Sequence, residues 1–261
     1  MERYEMINSF YTGYNEDSRL VKNRKGQLEY LTTMHYIHKF LSENGTVLDI
    51  GAGTGRYSVA LARENHPVTA VDLAEQNLDL LRQNAQGLEQ LTVLQGDAID
   101  LHRFTDDSFD MTLLMGPMYH LYETADQMTA LREAIRVTKP GGYLLTAFLS
   151  IYMILYDNYL QGNLFAGLEE NYTKDYQVRH FQEQLFTGFD VAEFEALFRT
   201  LPVAPVATVA ADGILELAQG RADFALSDEE FAAFVDYHLA HCEKRELLGA
   251  SAHLLHICRK K

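Results

Sequence analysis

The sequence predicts an α/β fold, a mostly parallel sheet between helices, on three observations. Thr46 to Ile50 is a short apolar, strand-forming run, Gly51, Gly53 and Gly55 follow it at two-residue spacing, and an alanine- and leucine-rich helical pattern starts at once. Two further strand-like runs, Pro67 to Asp72 and Leu91 to Ala98, end on acidic or glycine-acid corners and are separated by helical stretches. At 261 residues and 47% hydrophobic content, the chain can bury a full core as one large domain with inserted helical pieces.

Composition narrows the function classes. The formal net charge is −15, and the first 45 residues are balanced, so the acidic excess lies wholly beyond them. A large polyanion is a poor partner for such a surface. The small basic cluster of Arg19, Lys22, Arg24 and Lys25 reads as a solvated patch, with a clamp for an acidic substrate as the alternative. No basic-then-apolar leader opens the chain, and no apolar run reaches the ~18 residues of a membrane span. A soluble, cytoplasmic protein is expected. The stretch from Tyr143 to Tyr156 contains Thr146 and Ser150 and reads as a buried strand running into a helix. Cys242 and Cys258 have no short metal-type spacing and suit a reducing compartment as free thiols.

The glycine loop carries most of the functional signal. It reads D-I-G-A-G-T-G, with Asp49 ahead of the first glycine and no lysine after the last, so it lacks the equipment of a pyrophosphate loop. An acid at that place suits a cationic ligand group. The stretch from Asp49 to Gly55 resembles motif I of the class I S-adenosylmethionine (SAM) dependent methyltransferases. The resemblance runs from Thr46 to Leu149 and thins to architecture beyond residue 150.

That resemblance implies a Rossmann-like, seven-stranded, mostly parallel sheet with helices on both faces, an antiparallel last strand, a helical lid, and SAM as cofactor. It divides the chain into an N-terminal helical lid over 1–45, a SAM-binding core over 46–150, a helical insertion over 151–189, and the rest of the core over 190–261 with a second helical insertion at about 213–248. Within the lid, Leu28, Leu31, Ile37, Phe40 and Leu41 approximate one apolar face, ended by Asn44-Gly45. The aromatic run Phe10-Tyr11-Thr12-Gly13-Tyr14 either packs the helix onto the core or brings Tyr11 and Tyr14 to the cofactor.

Asp72 ends the second strand beside the glycine loop, where a carboxylate accepts both hydroxyls of a ribose; Leu73 follows it. Gly96-Asp97-Ala98 resembles the family's next motif, which implies that Asp97 accepts from the adenine amino group with Ala98 beside it. With Asp49, Gly51, Ala52, Gly53, Gly55 and Met115, these residues complete the expected cofactor set. An Asx turn at Asp97 is compatible with the same geometry.

The fourth strand, within Phe104 to Leu114, delivers Gly116-Pro117-Met118-Tyr119-His120-Leu121 to the crevice of a doubly wound sheet. Methyltransferases of nucleic-acid bases hold the target amine with an Asn or Asp here. Gly116 has no side chain to do so. No carboxylate cluster stands at this point either, so no metal is expected. His120 is the candidate general base, since an imidazole titrates near neutral pH, and Tyr119 and Tyr122 are candidate pocket walls, with Tyr119 also a candidate catalytic group.

A helix over Leu131 to Val137, a turn at Lys139-Pro140-Gly141-Gly142 and a strand over Tyr143 to Leu149 follow. The aromatic-rich segment Ile151 to Thr187 has no strand alternation and reads as helical cover for the crevice, with Tyr152, Arg179 and His180 as substrate contacts. Val191 to Leu201 reads as a helix, Pro202 to Val209 as the sixth strand and His253 to Cys258 as the last. Ser227-Asp228-Glu229-Glu230 opens a helix in the second insertion. That helix aligns His238, His241 and Cys242 on one face, as pocket lining, helical coincidence or a zinc half-site; His241 is the substrate candidate among them.

The expectation is methyl transfer to an O or N atom of a small molecule. An RNA or protein methyltransferase and a non-catalytic SAM-binding protein are the alternatives, and the sequence leaves the oligomeric state open.

Overall fold

Four consecutive buried residues, Val47–Ile50, make strand β1, and a strand covered on both faces belongs inside a sheet. The computed structural model describes residues 3–13, 16–160, 162–181 and 184–261 and places β1 centrally. On one side lie β2 (Val68–Asp72) and β3 (Leu91–Gln95); on the other lie β4 (Phe109–Leu114), β5 (Thr138–Ser150), β8 (His253–Lys260) and β7 (Val203–Ala210), giving the order β3-β2-β1-β4-β5-β8-β7. Strands β1 to β5 are parallel, and β8 runs antiparallel to both β5 and β7. An eighth strand that the sequence did not suggest, β6 (Gly188–Phe189), pairs in parallel with the end of β5. Its glycine lies where a Cβ would come within 2.8 Å of the Ile151 Cα, so only a bare backbone fits.

Helices α3 (Arg56–Arg63), α4 (Glu75–Asn84) and α5 (Thr124–Val137) are the crossovers that parallel pairing requires. Ahead of the sheet come α1 (Arg3–Gly13) and α2 (Arg24–Phe40). After β5 come α6 (Ile151–Tyr159) and α7 (Leu164–Asn171); α8 (Val191–Leu197) precedes β7; α9 (Leu215–Gln219), α10 (Asp228–His241) and α11 (Arg245–Leu248) separate β7 from β8. Reciprocal capping boxes start α8 at Asp190 and Glu193 and α10 at Ser227 and Glu230, the latter where the sequence placed it. The strand order reverses between β1 and β4, which run parallel, so the carboxyl ends of these two strands open the crevice in which such folds bind ligands.

Several local expectations change. Residues Lys139 to Gly142 do not form a separate turn: they belong to β5, irregularly paired with β4, and Gly141 has φ 79°. Helix α5 begins seven residues earlier than its apolar pattern, at Thr124. On α2, Leu28 and Ile37 are buried but Leu31 is 40% exposed, because the covered face runs through Thr32, Thr33 and Tyr36 instead. The 151–189 segment is not wholly helical, since it contains the Tyr172–Val178 bridge and β6. The basic cluster is not a solvated patch. Arg19 pairs with Glu16 and Glu29, Lys25 with Glu216, and Arg24 with Asp228 while lying over the Phe231 ring, so these cations join the N-terminal helices to α9 and α10. Among the described residues no helix is long and apolar enough to cross a membrane.

Candidate active site

The loop after β1 turns through Gly51, Gly53 and Gly55 at φ 76°, 56° and 88°, a region that residues with a Cβ avoid. Gly51 also sits where a Cβ would come within 2.6 Å of the Met115 carbonyl oxygen, so the loop after β1 and the loop after β4 touch through bare backbone. Asp72, at the end of β2, fixes the loop's exit: its Oδ2 accepts from the Gly53 N–H at 2.8 Å and its Oδ1 from the Ala74 N–H at 2.9 Å. Burial pushes the Asp72 carboxyl up, and these backbone donors pull it partly back. Asp97 follows β3; its Oδ1 accepts from the Ile99 N–H at 3.2 Å, and Arg3 of α1 ion-pairs with its Oδ2.

Between these loops and the N-terminal helices lies a cavity of about 550 Å³. Of the expected cofactor residues, Gly51, Ala52, Gly53, Asp72, Leu73, Asp97, Ala98, Met115 and Tyr11 line it. Gly55 does not, because it packs against Leu81 of α4 and starts α3. Asp49 stands behind the wall, fully buried, with Oδ2 accepting from the Ser58 hydroxyl at 2.6 Å and Oδ1 without a partner. Tyr14 lies outside the described residues.

Tyr119 and His120 reach the same cavity from the 3₁₀ turn Pro117–Tyr119 and its cap. The imidazole is 5% exposed and in one tautomer: Nδ1 donates to the Leu185 carbonyl at 2.7 Å, leaving Nε2 to accept from the Tyr11 hydroxyl at 3.4 Å. Burial lowers its pKa to about 4. The Tyr119 phenol is held well above its ordinary range by burial and the Glu29 carboxylate, so it is a hydrogen-bond donor and not a base.

The expected substrate contacts beyond the core do not converge here. Tyr152 donates to Asp190 at 2.6 Å, Arg179 to the Glu169 carbonyl at 2.7 Å, His180 lies between Thr187 and Glu193, and none of the three lines the cavity. On α10, His238 bonds the Ala210 carbonyl, His241 the Tyr237 carbonyl, and Cys242 lies against the Tyr36 hydroxyl, so the three do not share a ligand. The cavity instead recruits residues to which the sequence gave no role: Arg3, Glu16, Glu29, Ser150, Asp212, Glu216 and His253. Glu29, Asp212 and His253 come from α2, the turn after β7 and the first residue of β8. No sequence spacing links them; only the His at the expected start of the last strand was a hint.

Comparisons with known proteins bear on the domain and the fold. The methyltransferase-domain family matches residues 47–142, the stretch from β1 into β5. The chain carries a methyltransferase domain over this stretch. It is similar to the demethylmenaquinone methyltransferase of Staphylococcus aureus, 31% identical over 139 residues, which cover 48% of this chain and 56% of that one. The chain thus spans little more than half the length of that relative. A SAM-dependent methyltransferase of Methanosarcina mazei has the same fold at TM-score 0.57 and 20% identity, over 86% of this chain and 96% of that one. So does an N-methyltransferase of Bradyrhizobium japonicum solved with S-adenosylhomocysteine, at TM-score 0.61 and 12% identity over 99% of each chain.

The residues present suit the family's cofactor. Two carboxylates, at the end of β2 and just past β3, would serve as acceptors for ribose hydroxyls and an amino-purine edge, the bare Gly51–Gly53 backbone leaves room that side chains would fill, and the orphaned Asp49 Oδ1 is a buried polar atom behind the loop.

Proposed function

We propose that this chain transfers the methyl group of SAM to an O or N atom of a small molecule, with His120 as proton acceptor. The single observation that carries the reading is the state of His120: buried at the cavity wall, locked by Leu185 in the tautomer whose Nε2 is an acceptor, and neutral at physiological pH. Asp72 and Asp97 would hold the nucleoside and the glycine loop would lie against it. Bound SAM supplies a methyl already activated by the positive sulfur. The chain's own task is then alignment and proton removal. The acceptor's O–H or N–H would take the place of the Tyr11 hydroxyl at His120 Nε2, with the Tyr119 phenol donating to the acceptor. Helix α1 roofs the cavity through Ile7, Phe10 and Tyr11 and would exclude water. The enclosure favours a metabolite over a macromolecule.

The test is a screen of a metabolite extract, RNA and protein fractions with methyl-labelled SAM, followed by His120→Ala on the acceptor found. We expect label in small molecules, kcat reduced on the order of 10²-fold, and an unchanged SAM dissociation constant. Because His120 is a base with a pKa of about 4, its acid limb in kcat/KM is expected near pH 4 rather than 6.5. Label in RNA alone, or a variant as fast as the native chain, would refute the proposal.

A further inference from the structure

Glu29 of α2, Asp212, Glu216 of α9, and His253 line an acidic end of the cavity. Arg19 donates to both oxygens of Glu29, at 2.9 and 2.7 Å, and its Nε to Glu16. Asp212, fully buried, accepts from the Ser251 hydroxyl at 2.6 Å, the Ala252 N–H at 2.9 Å and His253 Nδ1 at 2.7 Å. Lys25 pairs with Glu216 through Oε1. Every cation here is taken, yet the carboxylates Glu16, Glu29, Asp212 and Glu216 outnumber Arg19, Lys25 and His253 even with the imidazole protonated.

Two acceptors remain. Glu216, its side chain 7% exposed, has an Oε2 with no partner. Ser150, 1% exposed, occupies the N-cap of α6 without capping it, and its Oγ has no partner either. Both residues line the cavity, and Ser150 is tied to the His253 strand through its N–H to the Ala252 carbonyl at 2.9 Å. Buried acceptors are left unmade only at a cost, unless a ligand completes them. Lys22 and Asp157, both exposed, also line the cavity and add one charge of each sign.

We infer that this end of the cavity is a subsite for a cationic amino group of the methyl acceptor, held by Glu216 Oε2 and Ser150 Oγ. An ammonium supplies the donors that both oxygens lack and the positive charge that the cluster lacks. A carboxylate or phosphate would add charge of the sign already in excess. A metal ion is the poorer occupant: Glu29, Asp212 and His253 do bring ligand atoms within 4.8 Å of one another, the one such group among the described residues, but the Arg19 guanidinium lies on Glu29, and Ser251, Ala252 and His253 already donate to Asp212.

The inference rests on the methyl-transfer reading, and calorimetry on the full chain separates the two. S-adenosylhomocysteine is titrated first; its failure to bind would overturn the methyl-transfer reading and this one with it. The loaded protein is then titrated with phenethylamine, 3-phenylpropionate and 2-phenylethanol, whose ring suits the walls at Phe10, Tyr11 and Phe186. We expect the amine to bind at least about tenfold tighter than the acid or the alcohol, and Glu216→Gln and Ser150→Ala each to weaken it about five- to tenfold or more while leaving S-adenosylhomocysteine affinity unchanged. Equal or tighter binding of the acid or alcohol, no binding of the amine, an amine affinity indifferent to Glu216→Gln, or displacement of the amine by Mg²⁺ or Zn²⁺ would each overturn the subsite while leaving the methyl-transfer reading intact.

Discussion

Asp72→Ala is expected to weaken SAM and S-adenosylhomocysteine binding by ~10²- to 10⁴-fold. Two hydrogen bonds from ribose hydroxyls to one carboxylate are worth about 1.5–3 kcal/mol each when the acceptor is charged. The substitution also strips the Gly53 and Ala74 N–H groups of their acceptor, and Gly53 belongs to the loop that the ligand would lie on. A loss confined to one ribose contact would stay near tenfold, so the size of the effect reads both roles. Asp72→Asn separates them: an amide oxygen can still serve one backbone donor but cannot match a carboxylate for two hydroxyls. We expect it to retain folding and lose about 10- to 100-fold in affinity, by calorimetry at constant pH. An Asp72→Ala protein that folds and binds within threefold of the native chain would remove Asp72 from the cofactor site.

How far the sequence could be read follows from what a local pattern encodes. The β1 strand, the glycines at positive φ and the acid ending β2 are neighbours along the chain, so their spacing carries the geometry. The same holds for the Ser227 capping box, where an N-cap and its third residue meet within one turn. The acidic end of the cavity is of another kind. Glu29, Ser150, Asp212, Glu216 and His253 lie on five separate elements or turns, and only the pairing of β5 with β8 brings Ser150 beside Ala252 and His253. Local polarity misleads there. Arg19 and Lys25 sit in a basic run that reads as a wet surface, whereas they pair with Glu29 and Glu216 and line the cavity with them. Conversely, Arg179, His180 and Tyr152 are polar residues in an aromatic segment, the usual look of a pocket, and each is engaged with that segment or with α8 and its N-cap.

Ion pairs also tie the N-terminal helices to the helices between β7 and β8. Arg24 with Asp228 and Lys25 with Glu216 join α2 to α10 and α9, while Leu28, Leu215 and Phe231 form a small apolar cluster between the same helices. The Arg24–Asp228 pair, exposed at its carboxylate, contributes little to stability singly. The effect of these contacts is on position: α2 carries Glu29, and α9 carries Glu216, so the contacts that dock the helices also fix the spacing of the acidic groups across the cavity.

Asp49 provides the second large effect, and it concerns stability against pH. Desolvation is the main cause that raises its pKa to about 7; the Ser58 hydrogen bond opposes it and the Asp72 charge reinforces it. A carboxyl that keeps its proton longer in the fold than in the unfolded chain makes the folded state the better proton binder between about pH 4 and 7. Stability therefore falls as pH rises through that window and levels off above it. A shift of about three units corresponds to on the order of 4 kcal/mol lost between the two ends. Asn is the nearest mimic of the protonated acid, and its oxygen can still accept from Ser58. Asp49→Asn should thus match the native chain near pH 4 and exceed it by a few kcal/mol at pH 8, less the cost of an amide N–H₂ left in the place of the orphaned Oδ1. Glu216, also raised by burial, tilts both proteins in the same direction and cancels in the difference, whereas Asp72, whose charge repels that of Asp49, contributes the relief of that repulsion to the gain at high pH. Urea unfolding at a series of pH values from 4 to 8 measures that difference directly. A constant offset across the series would mean that Asp49 is ionised in the fold, and that some cation or solvent reaches the oxygen that now stands alone behind the glycine loop.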